Sequence, residues 1–293
     1  MLSFLSLVRD SKRAKSITSL AIGKFDGMHI AHFALFKELD KNGGILCVES
    51  DNGGLLPKKY RDFYVKYPIF HLNLEIIRHK DAKEFVAFLK SVLPNLEKIV
   101  VGYDFRFGKD RLYYPFDLQK YFSGEVVVVS EVSHKKLSVH SGLIRELLIN
   151  GNLKRANQLL GRPYEIRGQI VRGQGIGEKE LVATINLEND GFLLPKEGVY
   201  AGFVQLGAQS SAKKYKAVIF IGNRVSTDKS FAIEAHLLGI SLKVSEKEAG
   251  FYFIKRIRDN DYFPKLELLK EQILKDIKKA QVILEKYLAE SRV

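Results

Sequence analysis

The sequence predicts an α/β fold in two parts. The first half reads as a parallel sheet covered by helices, the second as an antiparallel β-barrel with a long terminal helix. Three observations predict this. Residues 1 to about 150 alternate short apolar stretches with helical patterns, the rhythm of a parallel sheet buried on both faces. From residue 164 onward, strands follow one another across Gly- and Ser-containing turns, as in small barrels. The final stretch carries Leu266, Leu269, Ile273, Ile277, Ala280 and Leu284 along one helical stripe, with Pro264 placed to start it.

In the first half, candidate strands fall at 18–22, 45–49, 69–72, 98–101 and 126–129. A helix is expected at 33–39, directly after the first strand. At 81–93, Phe85, Phe88, Leu89 and Val92 recur at the spacing of a helix with one buried face. A helical pattern at 152–160 leads into Gly161-Arg162-Pro163, read as the linker. Beyond it, strands are expected at 164–172, 198–206, 216–221, 231–238 and 251–257.

Composition narrows the function classes. A chain of 293 residues, 46% of them hydrophobic, can build two globular cores. No apolar run approaches the roughly 20 residues of a membrane helix. The apolar start at 1–7 is followed, not preceded, by Arg9, Lys12, Arg13 and Lys15, which does not fit a secretory leader. A single cysteine, Cys47, excludes an intrachain disulfide and a Cys-cluster zinc site. A cytoplasmic protein is expected, as a monomer or weak homo-oligomer. The net charge of +13 suits nucleic acid or polyphosphate substrates. With no arginine-rich arm and no aromatic–basic strand pattern, neither a nucleic-acid nor a membrane partner is expected.

The most informative stretch is Gly23-Lys24-Phe25-Asp26-Gly27-Met28-His29-Ile30-Ala31-His32. Glycines at a strand-to-helix turn are joined to two histidines about one helical turn apart. The unpaired N–H groups of a helix start attract anions, so imidazoles there suit phosphate chemistry. Gly102-Tyr103-Asp104-Phe105-Arg106-Phe107-Gly108 follows another apolar strand and adds a carboxylate, aromatic rings and an arginine. In parallel sheets, ligands bind beyond the C-terminal strand ends.

The second half offers Gly173-Gln174-Gly175-Ile176-Gly177, a glycine-rich loop able to bring backbone N–H groups to a phosphate. Thr184 and Asn186 supply oxygens suited to Mg²⁺, or else a simple β-turn. Glu234 and His236 share one face of a strand, with Ile233, Ala235 and Leu237 on the other. A carboxylate at a barrel mouth can take a proton from a hydroxyl. An outward-facing, salt-bridged pair reads equally well from the alternation.

Taken in order, these segments resemble the prokaryotic bifunctional FAD synthetases, in which riboflavin kinase is joined to an FMN adenylyltransferase. The decapeptide is similar to the family's G-N-F-D-G-V-H-x-G-H, and 102–108 to its G-x-D-F-R-F-G. Ile144-Arg145-Glu146-Leu147-Leu148 resembles the end of I-S-S-T-R-I-R-E-L-L, and Leu160-Gly161-Arg162-Pro163-Tyr164 the domain junction. Gly198-Val199-Tyr200-Ala201, Ile221-Gly222-Asn223-Arg224, Glu234-Ala235-His236-Leu237-Leu238 and 258–263 resemble successive kinase segments.

The resemblance implies a Rossmann-like nucleotidyltransferase domain at 1–158 and a riboflavin kinase barrel at 159–293. In the first, His29 and His32 would stabilise phosphate charge, and Gly23, Phe25, Asp26, Gly27, Ser141 and Arg145 would bind ATP. Asp104, Phe105 and Arg106 would face nucleotide or flavin. In the second, Gly173, Gly175 and Gly177 would cover the nucleotide, Thr184 and Asn186 would hold Mg²⁺, and Glu234 would be the general base. The substrates implied are riboflavin, FMN and ATP, with FAD as product. Lys24 and Ala31 depart from the first motif, and of the residues in the family's I-S-S-T-R-I-R that meet the ATP polyphosphate, 139–145 keeps only Ser141 and Arg145. That departure carries the alternative expectation, a riboflavin kinase whose N-terminal domain only binds nucleotide or flavin.

Overall fold

A computed structural model describes residues 2–3, 11–49, 54–171, 182–207, 213–240 and 245–290. The chain divides into two compact units, Met1–Ser141 and Gly142–Val293. The expected kinase loop with Gly173, Gly175 and Gly177 lies outside the described residues.

The first unit holds strands β1 (Leu2–Ser3), β2 (Ser19–Gly23), β3 (Gly43–Glu49), β4 (Ile69–Asn73), β5 (Lys98–Gly102) and β6 (Glu125–Val129), with a small ribbon of β7 (Ser133–His134) and β8 (Leu137–Ser138). Its helices are α1 (Ser11–Ser16), α2 (Ile30–Lys37), α3 (Ala82–Val92) and α4 (Pro115–Tyr121). The main sheet runs β1-β4-β3-β2-β5-β6, and every pairing is parallel. Leu20, Ile45, Leu46, Ile99 and Val100 are fully buried, as strands covered on both faces require. Helix α3 forms because Asp81 and Glu84 cap its start reciprocally, at 2.7 and 2.9 Å, and Phe85, Leu89 and Val92 fall on one buried face.

The strand order has one functional consequence. From β2 the chain moves outward to β3 and β4, then returns to the other side of β2 as β5. The reversal opens a crevice beyond the C-terminal ends of β2 and β5, where such sheets bind ligands. The segments at 23–32 and 102–108 both begin there.

The second unit begins with α5 (Ser141–Ile149), whose first residue closes the first unit, and α6 (Leu153–Leu160). Six strands follow: β9 (Tyr164–Val171), β10 (Ile185–Leu187), β11 (Gly198–Leu206), β12 (Lys214–Asn223), β13 (Phe231–Leu237) and β14 (Glu248–Arg258). They close a barrel in the order β10-β13-β12-β11-β14-β9. Closure leaves no open edge. Tyr200, Phe251 and Phe253 are buried, each contributing on the order of 2 kcal/mol.

The compact units divide before the linker expected at 161–163. Helix α6 is fixed to the barrel, because Asn157 accepts from Tyr164 N at 2.8 Å and donates to Phe253 O at 2.9 Å. Helix α7 (Leu266–Glu290) packs Ala280 and Leu284 against Ala201, Phe203 and Tyr252. Its expected stripe is therefore core packing in the later turns only. Leu266 is exposed, and the burial continues through Ile283, Tyr287 and Leu288.

Two candidate catalytic sites

In the first unit, the turn after β2 is tightly specified. Phe25 and Met28 adopt positive φ at 49° and 43°, and Gly27 at 82°. Left-handed backbone costs an L-residue about 1–2 kcal/mol, and burial of Phe25 and Met28 holds it in place. At Gly27 a Cβ would lie 2.8 Å from Leu55 Cδ1. The Asp26 carboxylate, expected to meet ATP, accepts from the backbone N–H groups of Leu55 and Leu56 at 2.7 and 3.3 Å. It thereby ties the turn to the segment beside it.

His29 is the N-cap of α2, one residue before the helix, and is buried; His32 lies in its first turn. The two rings stack at 3.5 Å, and His29 N donates to His32 Nδ1 at 3.4 Å. Phe25 supports His32 edge-on at 5.2 Å. Ser141 joins this group from more than a hundred residues away: its hydroxyl donates to Asp26 O at 2.8 Å and lies 3.3 Å from His29 Nε2. Arg145 lies on α5 within the second unit.

After β5, Phe105 stacks on Phe107 and the Arg106 guanidinium lies 3.3 Å from the Tyr114 ring centroid. Asp104 is exposed.

Sequence reasoning missed one group in this unit. Arg61 donates to Lys24 O at 3.2 Å and to Glu49 Oε1 at 2.8 Å; His71 Nδ1 reaches the same oxygen at 2.7 Å. This buried pair braces the turn from below. Burial alone would raise the Glu49 carboxyl, but the His71 hydrogen bond and the Arg61 charge outweigh it and hold it below its ordinary value. Burial pushes the neighbouring Cys47 thiol up to about 12, against the pull of Arg61. Only the pairing of β3 with β4 and the fold of 58–64 bring these residues together.

In the second unit, Asn186 lies on a strand, not in the β-turn that its sequence also allowed. It pairs directly with Glu234 across β10 and β13, so both side chains share a face. Ile233, Ala235 and Leu237 oppose the buried Ile221, Ile219 and Ala217 on the other face. Glu234 and His236 thus point away from the interior packing and remain partly open.

Arg224 links the pair. Its Nη2 donates to Asn186 Oδ1 at 2.7 Å and to Glu234 Oε2 at 3.1 Å. His236 Nδ1 donates to Ala183 O at 2.9 Å and anchors the strand beside Thr184. The Asn186 carbonyl faces a cation, yet a carbonyl oxygen has two lone pairs. With the Thr184 hydroxyl two residues away, this oxygen set fits a hard divalent ion.

Among the described residues, no helix is long and apolar enough to cross a membrane. A family model described as Flavokinase: Riboflavin kinase matches residues 160–284. A bifunctional riboflavin kinase/FMN adenylyltransferase of Buchnera aphidicola subsp. Schizaphis graminum is 29% identical, over 96% of this chain and 97% of that protein. One from Listeria monocytogenes is 28% identical, over 88% and 89%. A crystal structure from Streptococcus pneumoniae, of a protein described as macrolide-efflux protein, matches with a TM-score of 0.78 and 27% identity. It covers 90% of this chain and 94% of that one. In motif order, in its parallel sheet and its barrel, and in similarity along nearly its whole length, the chain is similar to the bifunctional riboflavin kinase/FMN adenylyltransferase family.

Proposed function

We propose that this protein makes FMN from riboflavin and then FAD from FMN, using ATP in both steps. The observation that carries the kinase half is the direct pairing of Asn186 with Glu234 on a partly open barrel face. Glu234 takes the proton from the ribityl 5′-hydroxyl as its oxygen attacks the γ-phosphorus of ATP and ADP leaves. General-base help of this kind is worth roughly 10²–10⁴ in rate. Thr184 and Asn186 hold Mg²⁺, which when bound neutralises phosphate charge. The remaining acceleration comes from positioning.

In the adenylyltransferase half, an FMN phosphate oxygen attacks the α-phosphorus of ATP and pyrophosphate leaves. The stacked His29 and His32 meet the developing phosphate charge, and the N–H groups at the start of α2 assist. Gly23, Phe25 and Gly27 shape the ATP turn, while Asp104, Phe105 and Arg106 face nucleotide or flavin. We assign Arg145 to the ATP phosphates on its motif alone. The partners are small molecules, without nucleic acid or membrane, and the location is the cytoplasm.

Purified protein given riboflavin, ATP and Mg²⁺ is expected to yield FMN and FAD, separable by chromatography. Glu234→Gln is expected to abolish FMN formation while FAD still forms from supplied FMN. FMN accumulating with no FAD would favour the alternative of a kinase with a binding-only N-terminal domain, for which the altered 139–145 segment speaks.

A further inference from the structure

We infer, on the assignment of Glu234 as the proton acceptor, that Arg224 is a positioning residue of the kinase site. Its guanidinium clamps the carboxylate and the Asn186 carboxamide in one fixed geometry. One nitrogen makes both contacts. Nη2 carries two hydrogens, and they go to Asn186 Oδ1 at 2.7 Å and Glu234 Oε2 at 3.1 Å. The other arm is held as well, because Nη1 donates to Ser230 Oγ at 2.8 Å and that hydroxyl donates to Asp228 Oδ1 at 2.9 Å. The backbone closes the same loop, with Arg224 N donating to Ser230 O at 2.8 Å.

The clamp has a chemical direction. Oε2 of Glu234 is committed to Arg224, while Oε1 accepts no hydrogen bond from any described residue. The carboxylate therefore presents one defined oxygen outward for the substrate proton. The Arg224 side chain is only 17% exposed, and the Glu234 side chain 21%, so water competes weakly for the contact. Lysine offers one compact ammonium and cannot reproduce the fork. Ser230 and Asp228 sit on the hairpin between β12 and β13. The hairpin sequence thereby sets how the acceptor on β13 is aimed.

The test compares wild type, Arg224→Ala, Arg224→Lys and Glu234→Gln in riboflavin phosphorylation, with adenylylation of supplied FMN as the internal control. Arg224→Ala is expected to lower kcat for FMN formation about 100-fold, the loss typical of a misplaced reacting group. KM for riboflavin and ATP should change by no more than a few-fold, and FAD formation should persist. Added guanidinium ion should restore a large part of kcat in Arg224→Ala and nothing in Glu234→Gln. Arg224→Lys keeps the charge and should stay folded with kcat between the two, which keeps the test open if the alanine variant does not fold. An Arg224→Ala or Arg224→Lys enzyme with wild-type kcat would overturn the clamp, as would a loss confined to KM or one that guanidinium leaves unchanged. A fully active Glu234→Gln enzyme would instead overturn the assignment of the base.

Discussion

The Ser141 hydroxyl donates to the carbonyl oxygen of Asp26 at 2.8 Å while standing 3.3 Å from His29 Nε2. With the hydroxyl proton committed to Asp26, the second contact is satisfied when His29 carries its proton on Nε2. One hydroxyl thus fixes both the turn backbone and the tautomer of the buried imidazole. Within the eroded segment at 139–145, Ser141 reaches the histidine pair.

Ser141→Ala is accordingly expected to impair FAD formation and spare FMN formation. A single hydrogen bond is worth about 1 kcal/mol net, so kcat for adenylyl transfer should fall about 5- to 10-fold. Separate assays of the two products check it. Equal loss in both products would show general unfolding instead.

The Glu49 carboxyl titrates below its ordinary value, so its native form binds a proton less readily than its unfolded form. Its contribution to stability is complete above the unfolded value of about 4.3 and is lost as pH falls further. Urea unfolding followed between pH 6 and pH 3 should show the first unit weakening in this window. In Glu49→Gln the slope should flatten. An unchanged slope would assign the acid sensitivity to other carboxylates.

Asp276 is buried on α7, where it accepts from Arg258 Nε at 2.9 Å and Gln272 Nε2 at 2.9 Å. Asp276→Ala leaves the Arg258 charge without this partner, and breaking such a pair costs about 3 kcal/mol. Thermal unfolding should show a lowered midpoint for the second unit. A midpoint within a degree of wild type would show that the Asp261 carboxylate, which Arg258 Nη1 approaches at 3.5 Å, compensates.

How much of this was legible in the sequence depended on how local each signal is. Strands such as β3 and β5 announce themselves because a strand buried on both faces must be apolar throughout. The histidine pair was legible because three residues nearly complete a helical turn. Strand β10 was not: Ile185–Leu187 is only three residues long, and its identity comes from partners far along the chain. The face of Glu234 was ambiguous because alternation defines two faces without saying which one is covered. The bracing of Lys24 by Arg61, and the Ser141 contact, require three-dimensional pairing that no local pattern encodes. The exposed Leu266 belongs to a helical stripe whose first turns extend past the barrel packing.

Among the described residues, strand β10 joins the barrel by two register pairs to β13 and two to β9, the slenderest seam in the ring, and it bears Asn186. On the proposed assignment of Asn186, shutting the barrel and assembling the phosphoryl-transfer site are one event. On that assignment, Mg²⁺ held by Asn186 and shared with nucleotide phosphates is expected to act as a clasp across that seam, slowing amide hydrogen exchange in β10 and β13 more than in β11 and β12. Occupancy by substrate and integrity of the barrel become two readings of the same equilibrium.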